Sequence, residues 1–242
     1  MIGTTDPRPL SPREAVALQR DLASRVVRRT RSRTIRHVGG ADVAVLPERR
    51  LALASIVVLT FPELEVVESS EGAAPLDFPY IPGLLSFREM PAILAAWARL
   101  TVRPDVLLCD AHGVAHPRGF GLASHLGVAL DLPTIGCAKS RLFGTHRLPA
   151  AAKGRSVPLR HPQDGSVLGA VVRTRTGVRP IYVSIGHLVD LPFAVRTVPC
   201  SGARADFDCR SRPGLPTLPS PPLAAWRSLR PRLDPHGCGV IL

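Results

Sequence analysis

Four side chains in this sequence have the types and positions that phosphate-ester chemistry requires: Asp42, Glu89, Asp110 and Lys139. Asp42 interrupts an apolar alternating run from His37 to Leu46. Asp110 ends a short apolar run, Val106 to Cys109, the pattern of a buried strand that delivers one carboxylate to a loop of glycines and histidines. Glu89 falls in the first turn of a helical pattern opened by Ser86. Three acids with no evident cationic partner repel one another when brought together, and a hard divalent cation resolves the conflict. Mg²⁺, with Mn²⁺ as a substitute, takes a few carboxylates, waters and substrate phosphate oxygens. Such a metal activates water and neutralises charge on a phosphodiester under attack. Lys139, one of two lysines beside Lys153, follows a strand-like run, and an ammonium at a strand end suits phosphate positioning. Each residue also has a plainer reading. Asp42 fits a bulge or a solvated strand face, Glu89 fits the N3 partner of a Ser86 capping box, Asp110 fits a turn cap, and Lys139 fits an ordinary surface lysine.

For the four to meet, the elements around them must fold in one particular way. Residues 37–46, 51–61 and 64–68 read as a three-stranded antiparallel meander, with turns at Pro47 to Arg50 and at Pro62-Glu63. Residues 69–83 read as a loop. A helix follows from Ser86 with Ile93, Leu94, Trp97 and Leu100, then the Asp110 strand, then a helix over 120–130, then a buried strand over 133–138. Three antiparallel strands, helix, strand, helix, strand is the element order of a ribonuclease H-like α/β fold: a mixed sheet, antiparallel then parallel, flanked by helices. If its first and fourth strands are neighbours, Asp42 and Asp110 lie side by side, and Glu89 reaches them from the helix. Ser11-Pro12-Arg13-Glu14 predicts a capped first helix carrying Ala15, Leu18, Leu22 and Val26. A basic cluster of Arg25, Arg28, Arg29, Arg31, Arg33 and Arg36 follows it. Residues 167–174 and 181–185 predict a hairpin around Thr176-Gly177, and Asp190 predicts the start of a short helix.

The chain has 242 residues, enough for one sizeable domain, and a net charge of +12 carried almost wholly by arginine. That charge favours a polyanionic partner, nucleic acid first, against the plainer alternative of compositional drift. Five cysteines without C-x-x-C spacing argue against a zinc site, and Cys109 and Cys137 in apolar runs read as buried thiols of a reducing compartment. No apolar run approaches the ~20 residues of a membrane span. A soluble, cytoplasmic monomer is expected. Residues 1–200 read as the catalytic domain; residues 201–242, rich in proline and arginine, read as a tail without a core of its own.

The run Gly39 to Ala44 resembles the first acidic motif of the endonuclease V family, nucleases directed at inosine. Phe78 to Glu89 resembles the second motif and Asp110 to Gly127 the third, while Pro133 to Lys139 and Ile181 to His187 match later ones; the resemblance covers residues 11–200. It implies a Mg²⁺-dependent repair nuclease that recognises deoxyinosine in DNA. The enzyme would cleave the second phosphodiester bond 3′ to the lesion, leaving 3′-hydroxyl and 5′-phosphate ends. It implies that Asp42, Glu89 and Asp110 serve the metal and that Lys139 assists at the scissile phosphate. It makes Pro79, Tyr80, Ile81 and Pro82 a wedge that separates the strands, and Gly83, Leu85, His116 and Gly121 a pocket for the flipped base. The residues agree in part on their own terms. Two prolines stiffen an aromatic at a loop tip, as intercalating side chains require, although a Tyr packed under its own loop fits equally. Gly119 and Gly121 near a helix start would let backbone amides approach a ligand. His116 alone reads best as a structural histidine, and His187 as a supporting residue. Ala111 stands where the family has glycine, and residues 201–242 do not show the family's closing Pro-Glu-x-x-Arg-x-Ala-Asp helix. Other readings stay open: a related nuclease for branched DNA or inosine-containing RNA, or a non-catalytic basic DNA-binding protein.

Overall fold

Strict alternation of buried and half-buried residues makes Leu51–Thr60 a strand, β2, with Ala52, Ala54, Ile56 and Val58 all on the buried side. It pairs antiparallel with His37–Leu46 (β1) and with Val66–Pro75 (β3). Val106–Cys109 (β4), four residues buried on both faces, lies parallel to β1, and Thr134–Ala138 (β5) lies parallel to β4. The sheet then continues antiparallel through Ile181–His187 (β8), Val167–Val172 (β7) and Ser156–Arg160 (β6). The full order is β3-β2-β1-β4-β5-β8-β7-β6. The computed structural model describes residues 10–31 and 34–201; expectations for Arg33 and for residues 202–242 lie outside them.

Helices Pro12–Ala23 (α1), Leu85–Arg99 (α2), Leu122–Leu130 (α3) and Leu191–Ser201 (α4) complete the fold. One face of the sheet carries a core of Ile56, Leu107, Ile93 and Leu126, drawn from β2, β4, α2 and α3. The other carries Val38, Leu108, Val183 and Phe193, with α4 packed over it. This is the expected ribonuclease H-like mixed sheet flanked by helices. No helix among the described residues is long and apolar enough to cross a membrane.

Four local expectations are corrected. The third strand runs to Pro75, through residues read as loop. Its Ser69-Ser70-Glu71-Gly72-Ala73-Ala74 sequence has little intrinsic strand preference. Small residues are needed there because α2 packs directly on them: a side chain at Gly72 would collide with the backbone of Ala92 and Ala96. Strand β6 was not anticipated because Pro158 sits in its middle, a placement tolerated on an edge strand. The first helix stops at Ala23 rather than reaching Val26, so the arginine cluster lies in the following segment; Arg31 pairs there with exposed Asp131 at 2.9 Å. The predicted Ser11–Glu14 capping box is present, but the Ser86–Glu89 box is not. Helix α2 starts one residue earlier, and Ser86 is buried with its hydroxyl lacking a hydrogen-bond partner.

Candidate active site

Parallel pairing of β1 with β4 places Ala41 opposite Cys109, so Asp42 and Asp110 follow at the same level of neighbouring strands. The Asp110 amide donates to the Ala41 carbonyl at 3.2 Å. The β1–β2 register runs without a shift through Asp42, which rules out the bulge reading. Parallel pairing of β4 with β5 brings Lys139 alongside, and its ammonium lies 2.7 Å from Asp110 Oδ2.

Glu89 is half-buried on α2. Burial first, and then the charges of Asp42 and Asp110, push its carboxyl up to about 7, while Arg88 opposes the shift. The three acids therefore feel one another's charge, as a shared site requires. Among the described residues, no three His, Cys, Asp or Glu side chains are gathered closely enough to hold a metal ion by themselves.

A cavity of about 360 Å³ lies beside the Asp110–Lys139 pair and is lined also by Tyr80, Gly83, Leu85, His116 and Gly121. Its size falls within the roughly 300–1,000 Å³ of small-molecule sites. Ile81 and Pro82 line it too, whereas Pro79 does not. Tyr80 is 70% exposed, so it is not packed under its own loop. The loop's flanks are fixed instead: Phe78 and Leu84 are buried against Ala15 of α1, and Arg88 donates to the Phe78 carbonyl at 3.1 Å. The Ala111 methyl is buried at the wall and leaves the cavity open.

The expected role of the glycine amides is corrected. Gly121 donates its N–H to the Gly113 carbonyl at 2.9 Å, and Gly119 donates to the His116 carbonyl at 2.8 Å. Position 121 needs glycine because a Cβ would collide with the His112 carbonyl. His116 is held on both ring nitrogens: Nδ1 accepts from the Arg118 amide at 3.1 Å, so Nε2 carries the proton and donates to the Gly83 carbonyl at 3.0 Å. Burial, with the Arg118 charge next, lowers its pKa to about 4 and keeps it neutral. His187 lies elsewhere and supports the fold, its Nδ1 accepting from the Val27 amide at 3.1 Å.

Neither His112 nor Gln19, both of which line the cavity, was singled out from the sequence. His112 lines it, donating from Nε2 to the Ser140 carbonyl at 2.9 Å while its buried Nδ1 has no partner. Gln19 lines it from α1 and is 1% exposed. A glutamine four residues after Ala15, on the apolar side of an amphipathic helix, was the signal that could have found it.

Beyond this chain, the family profile for endonuclease V matches residues 20–204. The endonuclease V of Roseiflexus sp. (strain RS-1) is 52% identical over 192 residues, covering 79% of this chain and 85% of its own. The crystal structure of endonuclease V from Streptomyces avermitilis is 42% identical with a TM-score of 0.74, covering 79% of this chain and 84% of that one. Ciona intestinalis endonuclease V, solved with a 24mer DNA containing an inosine followed by a ribo-adenosine, is 28% identical with a TM-score of 0.63, covering 76% and 86%. The chain belongs to the endonuclease V family and is a nuclease, a hydrolase acting on DNA.

Proposed function

We propose that this nuclease is a Mg²⁺-dependent DNA-repair enzyme that recognises deoxyinosine and cuts the second phosphodiester bond 3′ to it, leaving 3′-hydroxyl and 5′-phosphate ends. The observation that carries the reading is the cavity beside Asp110 and Lys139, walled by Gly83, Leu85, His116 and Gly121. An enzyme that inspects a base takes it out of the stack, and it needs such a recess next to its reacting groups. The relative from Ciona intestinalis was solved on inosine-containing DNA.

The placement of the residues supports the following roles. Asp42, Glu89 and Asp110 hold the divalent cation, Mg²⁺ or in its place Mn²⁺, which when bound supplies water activation and charge neutralisation at the phosphodiester. Lys139 holds its positive charge at Asp110, where it meets the scissile phosphate. The neutral, tautomerically fixed His116 gives the recess a wall that keeps its shape and carries no charge. Pro79, Tyr80, Ile81 and Pro82 form the wedge, with the exposed Tyr80 ring entering the stack. The named site residues all come from one chain, which is compatible with the expected monomer. Unpaired thiols at Cys109 and Cys137 fit a reducing cytoplasm. Residues 1–200 form the catalytic domain.

Tyr80→Ala is expected to raise KM for an inosine duplex by about ten- to hundredfold, the loss of roughly 1–3 kcal/mol of base stacking. It should affect an inosine-containing single strand far less, because there is no duplex to open. Steady-state cleavage of both substrates checks this; equal losses on the two would remove the wedge role.

The reading itself is tested on an end-labelled duplex carrying one deoxyinosine, with Mg²⁺ and with chelator. One cut at the second bond 3′ of the lesion, dependent on Mg²⁺, is the expected result. No cut, or equal cutting of unmodified duplex, overturns it. One observation favours a second reading, cleavage of inosine-containing RNA: the Ciona intestinalis protein's bound strand has a ribo-adenosine after the inosine. An RNA substrate in the same assay separates the two.

A further inference from the structure

The carbonyl of Gly83 accepts from three donors: Gln19 Nε2 at 3.0 Å, His116 Nε2 at 3.0 Å and Arg118 Nη2 at 2.6 Å. Gln19 Nε2 also donates to the Phe120 carbonyl at 3.0 Å, and its Oε1 accepts from Arg118 Nε at 2.6 Å. All three side-chain hydrogen-bonding positions of the amide facing these loops are used. The amide's orientation is fixed by the same contacts, because the opposite flip would set its oxygen against two carbonyl oxygens and its NH₂ against a guanidinium. The backbone at Gly83 has φ +81°, and a Cβ there would lie 2.7 Å from Arg118 Nη2. The loop is therefore held in a left-handed turn whose carbonyl points into this cluster.

These bonds join three segments distant in sequence. Gln19 belongs to α1, Gly83 ends the loop bearing the exposed Tyr80, and His116, Arg118 and Phe120 form the loop that leads into α3. Both loops contribute to the cavity lining, and the Gln19 side chain is hydrogen-bonded to both.

The geometry points to Gln19 as a positioning residue for recognition: its amide sets the spacing of the Tyr80 and His116 loops, and with it the width of the recess and the stance of the wedge. The inference rests on the cavity being the site of the flipped base. Gln19 touches no reacting atom, and its effect falls on lesion binding and discrimination before it falls on the chemical step. Replacing the buried amide takes its donor from the Phe120 carbonyl and leaves the Gly83 carbonyl with two of its three, and a buried acceptor without a donor destabilises the arrangement that buries it.

The test is Gln19→Met, of similar length with no donors, beside Gln19→Glu, which keeps an acceptor for Arg118 and loses both donors. Two readouts are taken on the full chain. The first is hydrogen exchange of residues 79–84 in the free protein, expected to quicken by about tenfold or more in both variants while the β1–β2 strands keep wild-type protection. The second is affinity for an uncut inosine duplex relative to unmodified duplex, measured in chelator, with the preference expected to fall about ten- to hundredfold. A purely structural role would loosen the strands and the loop together and would lower binding to both duplexes alike. Wild-type exchange in the loop together with wild-type preference, in either folded variant, overturns the inference. If the wild-type protein shows no preference for inosine, the proposed substrate fails instead, and the exchange measurement still decides whether Gln19 holds the loop.

Discussion

Asp110→Asn is expected to lower turnover of an inosine duplex by about a thousandfold or more, the several kcal/mol that a metal contributes to charge stabilisation. Duplex affinity should change by less than about tenfold, since the arginines that carry the net positive charge are untouched. Asparagine has the same shape as aspartate, so the β1–β4 pairing and the 3.2 Å hydrogen bond from the Asp110 amide to the Ala41 carbonyl survive. What goes is one of the negative charges that Glu89 feels. The substitution removes one charged partner of Lys139 and one of the two charges that, after burial, raise the Glu89 carboxyl. Asp42→Asn should produce a similar loss, and the double variant little more than either alone, because residues that act as a unit are not additive. Single-turnover cleavage beside chelator-based binding separates chemistry from affinity. Substantial turnover by Asp110→Asn would remove it from the metal site.

Glu89→Gln is expected to make the metal-free protein more stable above neutral pH while abolishing cleavage. In the unfolded chain the carboxyl ionises near 4.5, and in the folded one near 7. Between those values the folded state binds more protons than the unfolded state, so stability falls as pH rises through that window. The shift corresponds to about 3 kcal/mol at most, reduced by relaxation and by the water that reaches a half-buried group. Glutamine carries no titrating proton, so the variant should match the wild type at acid pH and exceed it at alkaline pH. Added Mg²⁺ should close the gap by stabilising the wild type and not the variant. Urea unfolding on both sides of the window, with and without Mg²⁺, reads both effects. Parallel pH slopes in the two proteins would mean that Glu89 is not strained by Asp42 and Asp110. Stability set aside for function in this way is the usual condition of a charged site.

The elements that carry the acids were legible because their patterns are local. Ala52, Ala54, Ile56 and Val58 alternate without a break, and the all-apolar Val106 to Cys109 run is that of a central strand. Asp42 and Asp110 stood out against that background. Glu89 was disguised, since Ser86-x-x-Glu89 spells a capping box that the fold does not make. Burial of Ser86 and the approach of two other carboxylates decide its role, and neither is local. Strand β3 beyond Glu68 depends on α2 packing over Gly72, and β6 on pairing that tolerates Pro158, so both were invisible in the sequence. The prolines around Tyr80 left its exposure open, and the fold decides it at 70%. The wall behind it did not, because Gln19, Gly83 and Arg118 meet only through tertiary structure.

The account stands on Asp42, Glu89 and Asp110 sharing one divalent cation. Calorimetric titration of the full chain with Mn²⁺ tests this most directly, with wild type beside Asp42→Asn, Glu89→Gln and Asp110→Asn. Binding to the wild type, weakened in each of the three variants by at least about tenfold, the lower bound for losing even an outer-shell partner, is the predicted result. Any one variant binding Mn²⁺ as tightly as the wild type would contradict it.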